Sequence, residues 1–313
     1  MSRKSHSPAS PLDGVLLVDK PADCTSHDVV EAVRRRLPGV RVGHAGTLDP
    51  FATGLLPLSL GRATRLTSWL IACDKVYQGW VRLGQATDTY DRTGRPLGPP
   101  ADAGVERGRL VELLESLSGE RRQVPPPYSA KKVGGVPLYR RARRGEEVHA
   151  EPVRVRIEPI ELLQMGPGAF EFRVTCSSGT YIRALAHEVG EKLGCGAHLE
   201  SLTRLRCGEF RLESALPLAA ILALGDQELQ ARVIPLRSLD LGLPALRLSA
   251  EETLRLSRGQ PLPVREVPAD TCRAVRPDGE LLAIVVRQPR PGSAAPRWAA
   301  RVVFQTRGGR ATG

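Results

Sequence analysis

Along this chain the spacing of apolar residues switches between two periods, and the switches mark its elements. Val76-Tyr77-Gln78-Gly79-Trp80-Val81-Arg82-Leu83-Gly84 alternates, as does Phe170-Glu171-Phe172-Arg173-Val174-Thr175-Cys176. Both are predicted strands with one face toward a core, and residues 153–157 share the texture. Residues 12–18 form a short apolar strand ending in the turn Asp19-Lys20-Pro21. Leu110, Leu113, Leu114 and Leu117 instead fall at i, i+3, i+4 and i+7, an amphipathic helix stopped by Gly119. A helix capped by Thr25 or Ser26 turns Val30, Val33 and Leu37 to one side before Pro38-Gly39 ends it. Another places Ile182, Leu185, Ala186, Val189 and Leu193 on one face and closes at Gly194. Residues 64–71 read as helical, and about 218–241 as Ala- and Leu-rich helical connection. From Leu243 the texture changes to short alternating strands (281–287, 299–304) and Pro/Gly turns, a small β-rich module. No internal repeat is present.

One stretch fits neither period. Gly43-His44-Ala45-Gly46-Thr47-Leu48-Asp49-Pro50-Phe51-Ala52-Thr53-Gly54-Leu55-Leu56-Pro57 contains three glycines and two prolines, so it is not one regular element. Pro50 disfavours the α region at Asp49, and the glycines permit close approaches that a side chain would block. The apolar run that follows re-enters the core as a short strand. The result is a stiff loop carrying one carboxylate and one imidazole. A carboxylate held rigidly is a candidate nucleophile, while a lone Asp-Pro also serves as a turn or cap.

Charge narrows the partners. Hydrophobic content of 41% and charged content of 25% are those of an ordinary globular protein, but the net charge of +11 suggests a polyanion. Arginine heavily outnumbers lysine, which suits bidentate phosphate contacts. No apolar run approaches the roughly 20 residues that span a bilayer. Residues 1–11 are polar with no apolar signal core and read as a disordered tail. The six cysteines are scattered without a Cys-x-x-Cys pair, so neither a zinc site nor a disulfide framework is indicated, and reduced thiols in the cytoplasm are the economical reading.

The basic charge is concentrated. Residues 121–144 hold eight Arg or Lys residues and no acid, with Pro125-Pro126-Pro127, Tyr128 and Tyr139 interleaved. Such a run is often a solvated linker; between a helix and a strand it reads as a long loop, 121–151, inserted into the fold. A basic loop with aromatics suits contacts with RNA. The module after Leu243 carries twelve arginines against six acids.

The Gly43–Pro57 stretch closely resembles the catalytic motif of TruB-type tRNA pseudouridine synthases, Gly-His-x-Gly-x-Leu-Asp-Pro-x-Ala-x-Gly-x-Leu-Pro, at every fixed position. Further segments resemble the family: Thr87-Asp88 through Asp91 to Gly94, Pro127-Tyr128-Ser129-Ala130 with Lys132, Gly179–Arg183, and Gly190–His198. The resemblance covers most of residues 12–210, and the C-terminal module is similar in position and character to a PUA domain. It implies an α+β fold: a catalytic domain (12–240) with a large curved, mixed but mainly antiparallel sheet flanked by helices, plus a PUA-like RNA-binding domain (243–313). It implies base flipping, cleavage of a uridine C1′–N1 bond and rejoining at C5 in the T-arm loop of tRNA, position 55, without cofactor or metal. Asp49 is the expected catalytic residue, Arg183 its ion-pair partner, and Tyr77 a stacking residue on the flipped uracil. His44 is expected to fill the space the base vacates and Leu202 to line the uracil pocket. Lys20, Tyr181 and Lys132 complete the expected substrate contacts, although Lys20 matches a family lysine nearer to structure than to chemistry and Tyr181 reads as a supporting residue. Arg65 lies where relatives often place a basic residue near phosphate, and a solvated helix face accounts for it as well. From the residues alone His44 is also a turn histidine, Tyr77 a core tyrosine and Arg183 a surface arginine. The motif contains no second acid beside Asp49, which argues against hydrolysis. A monomer with no obligatory protein partner, acting on the tRNA T-arm and not on a membrane, is the expectation. The rivals are a non-catalytic tRNA-folding protein and a guide-RNA-dependent synthase.

Overall fold

A computed structural model describes residues 12–129, 131–133, 136–138, 141, 144, 146, 150–264, 267–290 and 293–304. The expected tail at 1–11 lies outside the described residues.

The first half runs β1 (Gly14–Lys20), α1 (Ser26–Arg36), β2 (Val42–His44), β3 (Thr53–Leu60), α2 (Thr67–Ala72), β4 (Lys75–Leu83), α3 (Arg107–Ser116), β5 (Gly119–Gln123), β6 (Lys132–Val133) and β7 (Val136–Pro137). It continues through β8 (Val153–Ile157), β9 (Glu161–Gly166), β10 (Ala169–Cys176), α4 (Ile182–Leu193), β11 (Ala197–Cys207), β12 (Phe210–Arg211), β13 (Leu216–Pro217), α5 (Leu218–Ala223), α6 (Asp226–Ala231) and β14 (Ile234–Pro235). The last part holds β15 (Ala245–Arg247), α7 (Ala250–Ser257), β16 (Leu262–Pro263), β17 (Thr271–Val275), β18 (Leu281–Arg290) and β19 (Ser293–Val303).

Among the described residues twelve strands share one sheet with the central order β13-β1-β3-β11-β4-β10-β8-β5, and five form a second, β15-β17-β18-β19-β16. The large sheet is mixed and mostly antiparallel. Its central irregularity is the parallel pairing of β3 with β11, Thr53 opposite Thr203 and Gly54 opposite Arg204.

Each element follows from its residues. Thr25 caps α1 in a reciprocal box with Asp28, and Gly194 ends α4 in the left-handed conformation. β1 is apolar from Val15 to Val18 because that stretch is buried on both faces: Leu16 and Val18 join the main core, Val15 and Leu17 a second one. The main core packs α1, α3 and α4 on the sheet through Val29, Val33, Leu110, Leu114, Leu185 and Val189, against Val81, Phe170 and Phe172. In the second core Leu66 and Leu70 meet Leu281, Ile284, Val302 and Phe304, which ties the C-terminal module to the large sheet.

Two expectations need correction. The basic run does not begin as a loop, because Arg121 and Arg122 lie on edge strand β5, paired with β8. Beyond it, β6 and β7 make a two-stranded hairpin, while Ala130, Tyr139 and several of the arginines lie outside the described residues. Residues 218–241 are not continuous helix: α5 and α6 are one to two turns each, β14 pairs with β1, and β13 just before them does so too. The scattered cysteines include one spatial pair, Cys73 and Cys207, whose free thiols stand 3.3 Å apart.

Candidate active site

The loop that carries Asp49 is fixed on both sides. Ser26 Oγ accepts from the Leu48 N–H at 2.9 Å, and the Pro50 carbonyl accepts from the Asp23 N–H at 2.9 Å and from Lys20 Nζ at 3.1 Å. The Ala52 N–H closes a tight turn onto the Asp49 carbonyl at 3.1 Å. Leu48, Phe51 and Ala52 are buried, whereas the Asp49 side chain keeps 33% of its surface exposed. A carboxylate projecting from a rigid, core-anchored turn is the arrangement a positioned nucleophile requires.

Arg183, the second residue of α4, meets it from the other side. Its Nε and Nη2 donate to Asp49 Oδ2 and Oδ1, both at 2.9 Å, a bidentate pair. Nη2 also donates to the Tyr128 carbonyl and Nη1 to the Thr89 carbonyl, again at 2.9 Å. Nη1 further lies 3.4 Å from Asp91 Oδ2. All of the guanidinium's donors are therefore engaged. Asp91 is the residue that sequence reasoning missed. Its side chain is 5% exposed, and its Oδ1 accepts from Thr89 Oγ1, the Thr93 N–H and Thr93 Oγ1 at 2.6–2.9 Å. A second acid thus stands near Asp49 across Arg183, but its oxygens are committed to local donors and to the arginine. The Thr-Asp-x-x-Asp-x-x-Gly segment was the available signal.

Beneath the loop lies Arg204, 1% exposed. It donates from Nε to the Leu55 carbonyl at 2.7 Å and from Nη2 to the Gly46 carbonyl at 3.1 Å, gripping both flanks of the Asp49 turn. Its charge acts on the Tyr77 phenol, and across β4 and β11 it is Tyr77's register partner. Tyr77 shares the apolar cluster of Leu48, Phe51 and Leu202. Burial pushes the Tyr77 phenol up to about 12, with Arg204 opposing that shift. The neutral phenol is therefore the folded-state species at physiological pH. Because an unfolded tyrosine ionises near 10, the preference for the neutral form stabilises the fold fully below that pH and is lost as pH rises from about 10 to 12. A titration at 295 nm, wild type minus Tyr77→Phe, is expected to show one phenolate appearing near pH 12; a transition near 10 would contradict this burial.

The remaining candidates separate. Burial, and secondarily the Arg204 charge, hold His44 below the usual histidine value, so it is a neutral ring beside the loop. Tyr181 caps α4, with its N–H and C=O both bonded to the buried Gln123 side chain at 2.8 and 3.0 Å. Burial raises its phenol, and both Asp49 and Arg183 act on it electrostatically. Lys20 is fully buried and gives its donors to the Pro21, Cys24 and Pro50 carbonyls, so it braces the loop and has no free donor for a substrate. The Lys132 side chain lies outside the described residues. Arg65 is turned away, donating to the Val303 carbonyl at 2.6 Å and lying over the Phe304 ring. A bulge between Arg204 and Arg206 interrupts the β4–β11 register just past Arg204.

A model of the TruB family pseudouridylate synthase N-terminal domain matches residues 34–182, and one of the tRNA pseudouridylate synthase B C-terminal domain matches residues 183–239. The tRNA pseudouridine synthase B of Opitutus terrae is 46% identical over 228 residues, covering 73% of this chain and 95% of the relative. The chain belongs to the TruB family. Its relative of the same name from Solibacter usitatus is 40% identical over 87% of this chain and 95% of its own length. Among solved structures, that of a Cbf5-Nop10-Gar1 complex matches with a TM-score of 0.74 at 24% identity, over 95% of this chain and 86% of the other. The fold is the shared one, a large mixed sheet with a small β module. The seam between the two TruB family models falls at Arg183, inside the site, and β11 of the second part sits mid-sheet between β3 and β4 of the first.

Proposed function

We infer that this chain is a tRNA pseudouridine synthase that isomerises the T-arm uridine at position 55. The observation that carries the mechanism is the bidentate Asp49–Arg183 pair on a rigid, partly open turn. Arg183 fixes the direction of the carboxylate, as a group that must meet one atom of a flipped nucleotide requires. Asp49 then acts on the uridine, at C1′, at C6 or by assisting loss of the C2′ proton. The C1′–N1 bond breaks, the base turns within the pocket, C1′ bonds to C5, and the C5 proton leaves while N1 gains one. The neutral Tyr77 ring and Leu202 supply an apolar wall for the uracil, and a base taken out of its stack is held by such stacking. His44, a neutral flat ring, stacks where the base has left. Lys20 acts from below by bracing Pro50, and Arg204 by holding the loop's two ends.

The enzyme works alone and without cofactor, in the cytoplasm. Its phosphate contacts come from the 124–152 segment and from arginines such as Arg122 and Arg154, directly opposite each other on β5 and β8. Residues 243–313 serve as a PUA-like RNA-binding module. No helix among the described residues is long and apolar enough to cross a membrane. The purified chain on unmodified tRNA transcript, with no guide RNA or other protein, is expected to place pseudouridine at the T-arm position, read by carbodiimide labelling and reverse transcription. Modification only after adding a guide RNA would favour the guide-dependent reading, and binding without modification the folding-protein reading.

A further inference from the structure

Tyr90 stands between two of the groups that hold Arg183, the Thr89 carbonyl and the Asp91 carboxylate. Its backbone is left-handed, with φ of +65°, a conformation that costs a bulky residue energy and persists only where surroundings impose it. Two features impose it here. The Tyr90 carbonyl accepts from the Leu199 N–H of β11 at 3.0 Å, and the Arg92 N–H returns a bond to the Leu199 carbonyl at 3.0 Å. The Tyr90 ring lies flat on the His187 ring, centroids 3.7 Å apart and planes within 8°. His187 is on α4, four residues after Arg183 and hence one turn along from it. The helix that presents the guanidinium therefore also carries the plate on which the opposing loop rests. Burial keeps His187 below the usual histidine value, so the stack at neutral pH joins two uncharged rings.

We propose that the Tyr90–His187 stack is a positioning device for the isomerisation: it sets the distance between the Thr89–Asp91 segment and α4, and through Arg183 the aim of Asp49. Neither ring touches the uridine. The assignment rests on the synthase reading and extends it to residues that the loop motif does not contain. Removing the ring lets the segment relax away from Arg183, and a misplacement of about 1 Å at a reacting group costs on the order of 100-fold in rate.

The test uses the full chain on unmodified tRNA transcript, with single-turnover rate, tRNA Kd by filter binding and urea midpoint measured for each variant. Tyr90→Ala and His187→Ala are each expected to slow the reaction about 10- to 100-fold with Kd within about threefold of wild type. The double variant is expected to be no slower than either single one, since both break one contact. Tyr90→Phe keeps the ring and should stay within about twofold of the wild-type rate. Tyr90→Gly relieves the left-handed strain yet lacks the ring, so it should be more stable than Tyr90→Ala and equally slow. A wild-type rate in Tyr90→Ala, a rate restored by Tyr90→Gly, or a loss confined to Kd would overturn the proposal; the last would make the pair an RNA contact. A wild type that forms no pseudouridine overturns the synthase reading and this assignment with it.

Discussion

Arg183→Lys is expected to lower the single-turnover rate by about 100- to 1,000-fold while leaving tRNA affinity within a few-fold of wild type. The charge is conserved, but the geometry is not. A guanidinium presents five donors in a fixed plane, and here two go to Asp49, two to the Thr89 and Tyr128 carbonyls and one toward Asp91. A lysine ammonium has three donors and no fork, so at least one buried acceptor loses its partner and Asp49 is free to rotate. The arginine side chain is only 6% exposed, so water does not replace what is lost. A loss of about 100- to 1,000-fold corresponds to about 3–4 kcal/mol of transition-state stabilisation. Rate and Kd measured together check this. A variant within tenfold of the wild-type rate would mean that Asp49 does not depend on Arg183 for its aim.

Gly54→Ala is expected to be the most damaging single methyl in the loop. Gly54 has φ of +96°, and a Cβ there would stand 2.5 Å from the Arg204 carbonyl oxygen and 2.9 Å from the Arg204 nitrogen. Those are backbone atoms of the strand paired with β3, so no rotamer change relieves the clash. Either β3 and β11 separate or the turn from Asp49 to Thr53 shifts. The strain amounts to ~3 kcal/mol or more, a fall in melting temperature on the order of 10 °C, and activity is lost with it. Gly39→Ala is the control. Its φ is +81° but nothing lies within 4 Å, so it should carry only the backbone cost of ~1–2 kcal/mol. Thermal melts of the two variants decide the matter. Equal shifts would show that the Arg204 contact is not the constraint.

Much of this arrangement is legible in the residues. The stiffness of the Gly43–Pro57 loop follows from its glycines and prolines, and α1 and α4 follow from caps and apolar spacing. Alternation located β4 and β10 because each buries one face fully and leaves the other mostly half-buried. The misses share one cause, a dependence on partners distant in sequence. Asp91 looks like a turn residue until the fold brings α4, 92 residues later, against it. Arg204 looks like one more surface charge on a basic chain, and only the parallel β3–β11 pairing makes it the buried post of the loop. Arg121 and Arg122 read as loop because arginine carries little strand signal, while their pairing is dictated by β8, more than thirty residues on. In the C-terminal module β15 and β16 are two to three residues long and their place is set by the five-stranded sheet, whereas α7 starts from a local signal, the reciprocal Ser249–Glu252 capping box.

The central claim is that Asp49 performs the isomerisation. Its most direct test is a single-turnover assay on unmodified tRNA transcript, wild type against Asp49→Asn, with tRNA binding measured in parallel. Asparagine keeps the size and loses the charge, so the prediction is full binding and no pseudouridine at the T-arm position. Pseudouridine formed by Asp49→Asn at a rate near that of the wild type would contradict the account.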